Sequence, residues 1–237
     1  MRGYPAVDRY VPMTADDWSR RTSREIGFWR YWITQHHEEA LKSRFLRPDI
    51  GIFIKSDCQR PLVANVGSGP ANLIGDAWPN CKLTVVSSDL LATFYMALWR
   101  EAGHGATESG VDLQDMANLS YPDGHFDIVF CSNALDHSPD PFSSIRECVR
   151  VCKPGGVVYF RHFRDAGESA NYSGLHQWNL LRLPDEDVLV WRYAAKGVRD
   201  GNGFRLSECV PGFRNRVKRD VPSEGSRLVS VLRKDKT

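Results

Sequence analysis

The chain lacks a CxxC pair, an apolar run of membrane-spanning length, an internal repeat and a marked excess of either charge. Each absence removes a class of protein. The six cysteines, at positions 58, 81, 131, 148, 152 and 209, are scattered through 237 residues, a length that buries a full core without covalent staples, so they read as reduced thiols. Cys148 and Cys152 are spaced to share a helix face, but no His or Cys follows at ligand spacing, and they read as small buried hydrophobes. A formal charge of +2 sets up no field that would gather nucleic acid or an anionic membrane. The one basic concentration, Arg214, Arg216, Lys218 and Arg219, has no interleaved aromatics to stack bases and reads as a solvated edge strand. The N-terminus has neither a signal-peptide layout nor the ~20 apolar residues of a membrane span. No membrane partner and a cytoplasmic location are therefore expected.

What is present is alternation. Residues 1 to 24 are polar and carry Pro5 and Pro12; a dense aromatic stretch, Ile26, Phe28, Trp29, Trp32 and Ile33, then predicts a helical cap that runs to Leu46 and is stopped by Arg47-Pro48-Asp49. Ile50 to Ile54 is ambiguous. From Arg60 short apolar runs alternate with amphipathic stretches, the pattern of βαβ units. Strands are predicted at 62–66, 83–87, 126–132 and 156–161, and helices at 71–77, 90–102 and 142–152. The last helix is closed by Lys153-Pro154-Gly155-Gly156. Residues 187–193, 213–221 and 227–232 are strand-like, the final pair joined by a Pro222-Ser223-Glu224-Gly225 turn. The expected fold is α/β: a Rossmann-like, doubly wound, mostly parallel sheet with a C-terminal antiparallel hairpin and an N-terminal helical cap. The cap would occupy residues 1–59 and the main domain 60–237.

Three features carry chemistry. The strand Val63 to Val66 runs into Gly67-Ser68-Gly69-Pro70-Ala71, where glycines allow a sharp turn and close ligand approach, and an expected helix after them would present free N–H groups. Asp89 closes the second strand about 20 residues later, where nucleotide-binding folds place an acid against ribose hydroxyls. Asp115, followed by Met116, sits in a loop where an acid accepts from an exocyclic adenine amine and a neighbouring N–H donates to a ring nitrogen.

Taken with Leu119-Ser120-Tyr121-Pro122-Asp123-Gly124-His125-Phe126-Asp127, Asn133-Ala134-Leu135-Asp136-His137 and Lys153-Pro154-Gly155-Gly156, these segments resemble the class I S-adenosylmethionine-dependent methyltransferases in order and spacing. The resemblance covers residues from about 60 to 165. It implies S-adenosylmethionine as cofactor, and Asn65, Gly67, Ser68, Gly69, Asp89, Leu90, Asp115, Met116, Asn133 and Ala134 as the residues around it. Two positions depart from the family: Asn65 stands where an acid is usual, and Ala71 where a third glycine is usual. A nicotinamide dinucleotide fits less well, because Pro70 removes a donor from the loop and Asp115 has no role in hydride transfer.

Methyl transfer needs an aligned acceptor and, for a hydroxyl, a place for its proton. His137, after the fourth strand, is the first candidate base, with His162 on the fifth strand and His176 beyond it as the other candidate catalytic groups. The polar run Glu168 to Asn179 is expected to be an acceptor-binding loop within about 162–195, using Glu168, Tyr172, Gln177, Trp178 and Asn179. His137, His162 and His176 with Asp136 or Glu168 would make up a metal-ligand set, but scattered histidines are more often satisfied by backbone or water, and no metal is expected. Phe28, Trp29, Tyr31 and Trp32 form either a lid over a sulfonium or plain helix packing. The expected function is methyl transfer to a small-molecule hydroxyl on a sugar, phosphoryl compound or secondary metabolite. A nucleic-acid methyltransferase is disfavoured by the missing Asn-Pro-Pro-aromatic motif, and a non-catalytic cofactor-binding partner subunit is the other alternative. An exposed edge in 213–232 suggests a possible homodimer.

Overall fold

In the computed structural model β1 (Leu62–Val66) is buried along most of its length because strands flank it on both edges. β2 (Thr84–Asp89) lies on one side and β4 (Phe126–Ser132) on the other, both parallel to it, with Asn65 opposite Ser87 and Phe130. β3 (Val111–Leu113) extends the sheet beyond β2, and β5 (Cys152–Phe163) beyond β4. The antiparallel pair β9 (Arg214–Val221) and β10 (Arg227–Arg233) completes the order β3-β2-β1-β4-β5-β10-β9. The structure describes residues 7, 9–40, 42–104, 110–193, 201–210, 214–221 and 227–234, with the backbone alone over 214–221. The expected turn at 222–225 and the basic side chains of β9 lie outside the described residues.

Alternation along these strands divides the core. Ala64, Val66, Val129, Cys131, Val158 and Phe160 face one side, where α5 (Pro141–Val151) packs. Val63, Ile128, Phe130, Val157 and Tyr159 face the other, against Leu46 and Ile50. α5 starts where the sequence dictates: Asp140 accepts the Ser143 N–H at 3.0 Å, and Pro141 occupies the first turn, where its missing N–H costs nothing. Cys148 and Cys152 are buried here, and burial pushes both thiols up, that of Cys152 to about 12, so they stay protonated.

The structure corrects several sequence expectations. No helix follows the glycine turn. Pro70 withholds a donor, the Asn72 side chain bonds both Ile74 N and Gly75 O, and Gly75 adopts φ +99°, so residues 71–77 turn back on themselves. Pro48 starts a helix rather than stopping one: α2 (Thr22–Ala40) ends earlier, and α3 (Pro48–Gly51) carries the proline in its first turn. Within the 1–59 segment α2 packs on α4 (Ala92–Glu101), while Leu46 and Ile50 join a different cluster, with Val63, Ile128 and Phe130. Residues 188–192 form a strand, β7, in a separate antiparallel sheet ordered β6-β7-β8 with β6 (Asn179–Arg182) and β8 (Asn202–Arg205). Among the described residues no helix is long and apolar enough to cross a membrane.

Candidate functional site

At the carboxyl ends of β1, β2 and β4 a cavity of about 260 Å³ opens, floored by Asn65, Gly67, Asp89, Asp115, Met116 and Ala134. The turn after β1 is shaped from within. Gly67 and Gly69 take φ values of +67° and +71°, which side-chain-bearing residues rarely adopt. The N–H groups of Gly67 and Ser68 both donate to Ser88 O, at 2.8 and 3.0 Å. That of Gly69 donates to Asp89 Oδ2 at 3.0 Å, while Leu91 N donates to Oδ1 at 2.9 Å. The loop amides are therefore committed to β2, contrary to the expectation of free donors at a helix start. A Cβ on Gly67 would lie 2.3 Å from Ala134 Cβ, so the two loops meet where only a glycine fits. Burial pushes the Asp89 carboxyl up against the lowering effect of its two amide donors, and Glu25 adds to the rise. Across the floor, Asp115 Oδ1 accepts Ala117 N at 2.8 Å, which fixes the loop that carries Met116.

The N-terminal segment forms the other wall. Trp18 and Trp29, Glu25 between them and Leu175 from the loop before β6 line the cavity opposite the sheet. Trp18 Nε1 donates to His137 O at 2.8 Å and Arg21 Nη1 to Tyr172 O at 3.3 Å, so α1 (Ala15–Ser19) and the turn before α2 are tied to the loops that follow β4 and precede β6. The edge of the Trp29 indole rests on Gly69, where a Cβ would meet Cζ2 at 2.8 Å.

Beside this wall lies an acid flanked by two imidazoles. Asp136 Oδ2 is 2.7 Å from His176 Nδ1 and 3.4 Å from His137 Nε2, and the two imidazole nitrogens are 2.9 Å apart. Burial alone would push the Asp136 carboxyl up, but the facing imidazoles of His137 and His176 hold it down at about 2. The bond to Asp136 in turn raises His176, against the opposing effect of burial. All three donor atoms lie within 4.8 Å of one another, close enough to share one cation.

Comparison with known proteins settles the family. A model of the methyltransferase domain matches residues 64–160. A ubiquinone biosynthesis O-methyltransferase of Thiobacillus denitrificans is 36% identical over 186 residues, which is 70% of this chain and 78% of that protein. The chain belongs to the class I S-adenosylmethionine-dependent methyltransferases. A protein of the same name from Marinobacter nauticus is 32% identical over 138 residues, 50% of this chain and 57% of that protein. Among solved structures, the CurJ carbon methyltransferase shares the fold, with a TM-score of 0.50 at 12% identity over 76% of this chain and 50% of that one.

The methyltransferase's cofactor is S-adenosylmethionine, and the residues present fit it. The Gly67 cradle leaves room that a Cβ would fill, and each Asp89 oxygen keeps a lone pair beyond its one amide donor. Ser68, Leu90 and Asn133 join the cavity wall with the floor residues. Asn133 also holds the chain: at φ +50° its Oδ1 accepts Phe163 N at 3.1 Å.

The acceptor side differs from what the sequence suggested. His137 lines the cavity and bonds His176 directly, but His162 makes no hydrogen bond to either. It is 1% exposed, packed among Leu135, Ile145, Phe160 and Leu228, and neither ring nitrogen has a hydrogen-bond partner among the described residues. The polar residues expected to grip an acceptor mostly hold their own loop. Gln177 Nε2 donates to Tyr172 O and Gly174 O, Trp178 Nε1 to Ser138 O, and Asn179 Nδ2 to the Tyr172 hydroxyl. Asn179 Oδ1 receives the Glu168 N–H, and none of these five side chains lines the cavity. Hydrogen bonds of buried amides and indoles such as these brace the loop. Leu175, Glu25, Trp18, Tyr95 and Arg47 line the cavity without having been singled out as site residues. Only the aromatic cluster gave any sign of the N-terminal wall.

Proposed function

We propose that this methyltransferase acts on a hydroxyl of a small molecule and that the acid with its two imidazoles takes the proton. The observation that carries the reading is the ionised, buried Asp136 held between His137 and His176 at the cavity edge. One arrangement of protons satisfies the group: the His176 Nδ1–H lies between Asp136 Oδ2 and the lone pair of His137 Nε2. The outer nitrogen of His176 then keeps a lone pair for a proton. Methyl transfer to a hydroxyl requires such a group within reach as the oxygen attacks. When bound, the cofactor supplies an electrophilic methyl group at its sulfonium. Asp89 is suited to the ribose hydroxyls, Asp115 and the Met116 amide to adenine, and Asn65, Gly67, Ser68 and Gly69 to the methionyl end, with Leu90, Asn133 and Ala134 closing the walls.

Relatives named for O-methylation in ubiquinone biosynthesis support attack by oxygen. Among the expected acceptors, a neutral hydroxyl of a sugar or secondary metabolite suits the wall better than a phosphoryl compound. Glu25 and Asp89 make the wall acidic, and Arg47, the arginine that lines it, is in a bidentate pair with Asp49 at 3.0 and 2.7 Å. The test is calorimetric titration with S-adenosylmethionine and S-adenosylhomocysteine, followed by release of the latter in the presence of neutral and phosphorylated hydroxyl compounds. Binding weakened at least tenfold, about 1.4 kcal/mol, in folded Asp89→Ala supports the cofactor reading. Binding without turnover on any hydroxyl compound would count against catalysis and for a partner subunit.

A further inference from the structure

Resting on the cofactor site proposed above, we infer that Glu25 is the counter-charge of the cofactor's sulfonium, supplied by the N-terminal helix rather than by the sheet. The sheet floor has no charge at the position where the family usually carries an acid. Asn65 is 3% exposed, and its Nδ2 reaches Ser87 Oγ at 3.5 Å. A cationic ligand lying there meets an amide dipole. Across the cavity the situation is reversed.

Glu25 sits in the first turn of α2, where an acid commonly faces solvent and steadies the helix end. Here it lines the cavity instead. Its Oε1 accepts the Trp29 Nε1 hydrogen at 2.6 Å, one helical turn on, and the same indole presses on Gly69. The carboxylate is thereby fastened against the glycine turn, and no other donor to it is found among the described residues. Its field acts in two directions. It adds to the rise of the Asp89 carboxyl at the ribose end, and to the rise of His176 at the acceptor end. The geometry carries the placement: the cavity that Glu25 lines is bounded by Asp89 at the ribose end and by His137 at the other, and the atom of this cofactor between ribose and acceptor is the sulfur. A carboxylate facing a sulfonium in a partly enclosed cavity is favoured more strongly than in water, because the medium screens less.

The consequence is selective. S-adenosylmethionine carries a positive sulfur, whereas S-adenosylhomocysteine carries a neutral thioether and is otherwise identical at ribose, base and amino-acid end. Glu25 therefore strengthens the hold on reactant over product, and the product leaves a site that no longer matches it.

The experiment is titration of wild type and Glu25→Gln with S-adenosylmethionine, S-adenosylhomocysteine and sinefungin, which bears an ammonium in place of the sulfonium, with circular dichroism to verify folding. Glu25→Gln is expected to weaken S-adenosylmethionine and sinefungin at least fivefold while changing S-adenosylhomocysteine less than twofold. Equal weakening of all three, or none of any, overturns the inference, since the carboxylate would then face the amino-acid end or only brace Trp29. If Glu25→Gln does not fold, Glu25→Asp takes its place. It keeps the charge but withdraws it by one methylene, and should cut the ratio of S-adenosylmethionine to S-adenosylhomocysteine affinity at least twofold; an unchanged ratio overturns the inference. A folded wild type that binds none of the three ligands overturns the cofactor-site reading itself, an outcome distinct from the others.

Discussion

His162 should make the fold sensitive to mild acid, and a single substitution should remove most of that sensitivity. The ring is 1% exposed, surrounded by Leu135, Ile145, Phe160 and Leu228, with no partner for either nitrogen among the described residues. Burial lowers its pKa from the ordinary 6.5 to about 4, with the nearby Asp136 opposing and His137 and Arg161 adding to the fall. The sign follows from proton uptake. Between pH 6.5 and pH 4 the unfolded chain binds a proton at this residue and the folded chain does not, so stability falls as pH falls. Each pH unit in that window is worth about 1.4 kcal/mol, and from pH 7 to pH 5 the loss from this one group is about 2 kcal/mol. Asp136 does not confuse the measurement, because a carboxyl held at about 2 loses its stabilising effect only as pH drops below the ordinary 3.8. Urea unfolding followed by fluorescence of the buried Trp99 and Trp178 reads the effect at both pH values. His162→Leu places an apolar side chain of similar bulk in an apolar site. It should be at least as stable as wild type at pH 7 and should lose about 2 kcal/mol less on going to pH 5. If wild type and His162→Leu lose stability in parallel, the buried neutral imidazole is not the acid-labile group and the reasoning fails.

Other outcomes follow from the same geometry. Asp136→Asn should lower kcat by about 10- to 100-fold, in the range of lost acid–base assistance. Because Asp136 raises His176, kcat/KM of the wild type should fall as pH drops through a value above 6.5, and that inflection should move downward in Asp136→Asn; an unmoved inflection would show that His176 does not report on the reaction. Gly67→Ala should lower the melting temperature by several degrees and weaken S-adenosylmethionine at least tenfold, since it forces a φ of +67° on an alanine, at about 1 to 2 kcal/mol, and collides with Ala134. Adding Ala134→Gly relieves the collision but not the backbone strain, so differential scanning calorimetry of the double variant should show only partial recovery.

How much of this was legible in the sequence depended on whether the cause was local. The glycine turn and Asp89 could be read because one short apolar strand and its breaker fix each of them. α5 could be read because Asp140, Pro141 and the apolar face are contiguous. The expected helix over 71–77 failed although Leu73, Ile74 and Ala77 suggested one, since Pro70, Asn72 and Gly75 compete for the same backbone. β6 and β8 were missed because strands of four residues such as Asn179–Arg182 and Asn202–Arg205 lie below the length at which alternation is recognisable. The hydrogen bonds of Gln177, Trp178 and Asn179 within their own loop were hidden for a different reason. Polar side chains in a loop look the same in sequence whether their partners are a ligand or their own backbone. His162 and His176 each stand among polar and apolar neighbours in sequence, and only the register of β5 and the docking of residues 177–178 on Asp136 O tell them apart.

Asp89 has a consequence for anyone who alters this site. Its two oxygens fasten Gly69 to the end of β2 and Leu91 to the start of α4. The residue suited to recognising ribose is thus also a joint of the scaffold. Heat tolerance and cofactor preference are then not independent traits in this chain: an exchange meant to admit a different nucleoside will loosen the turn as well, and must be accompanied by a second change that re-anchors Gly69.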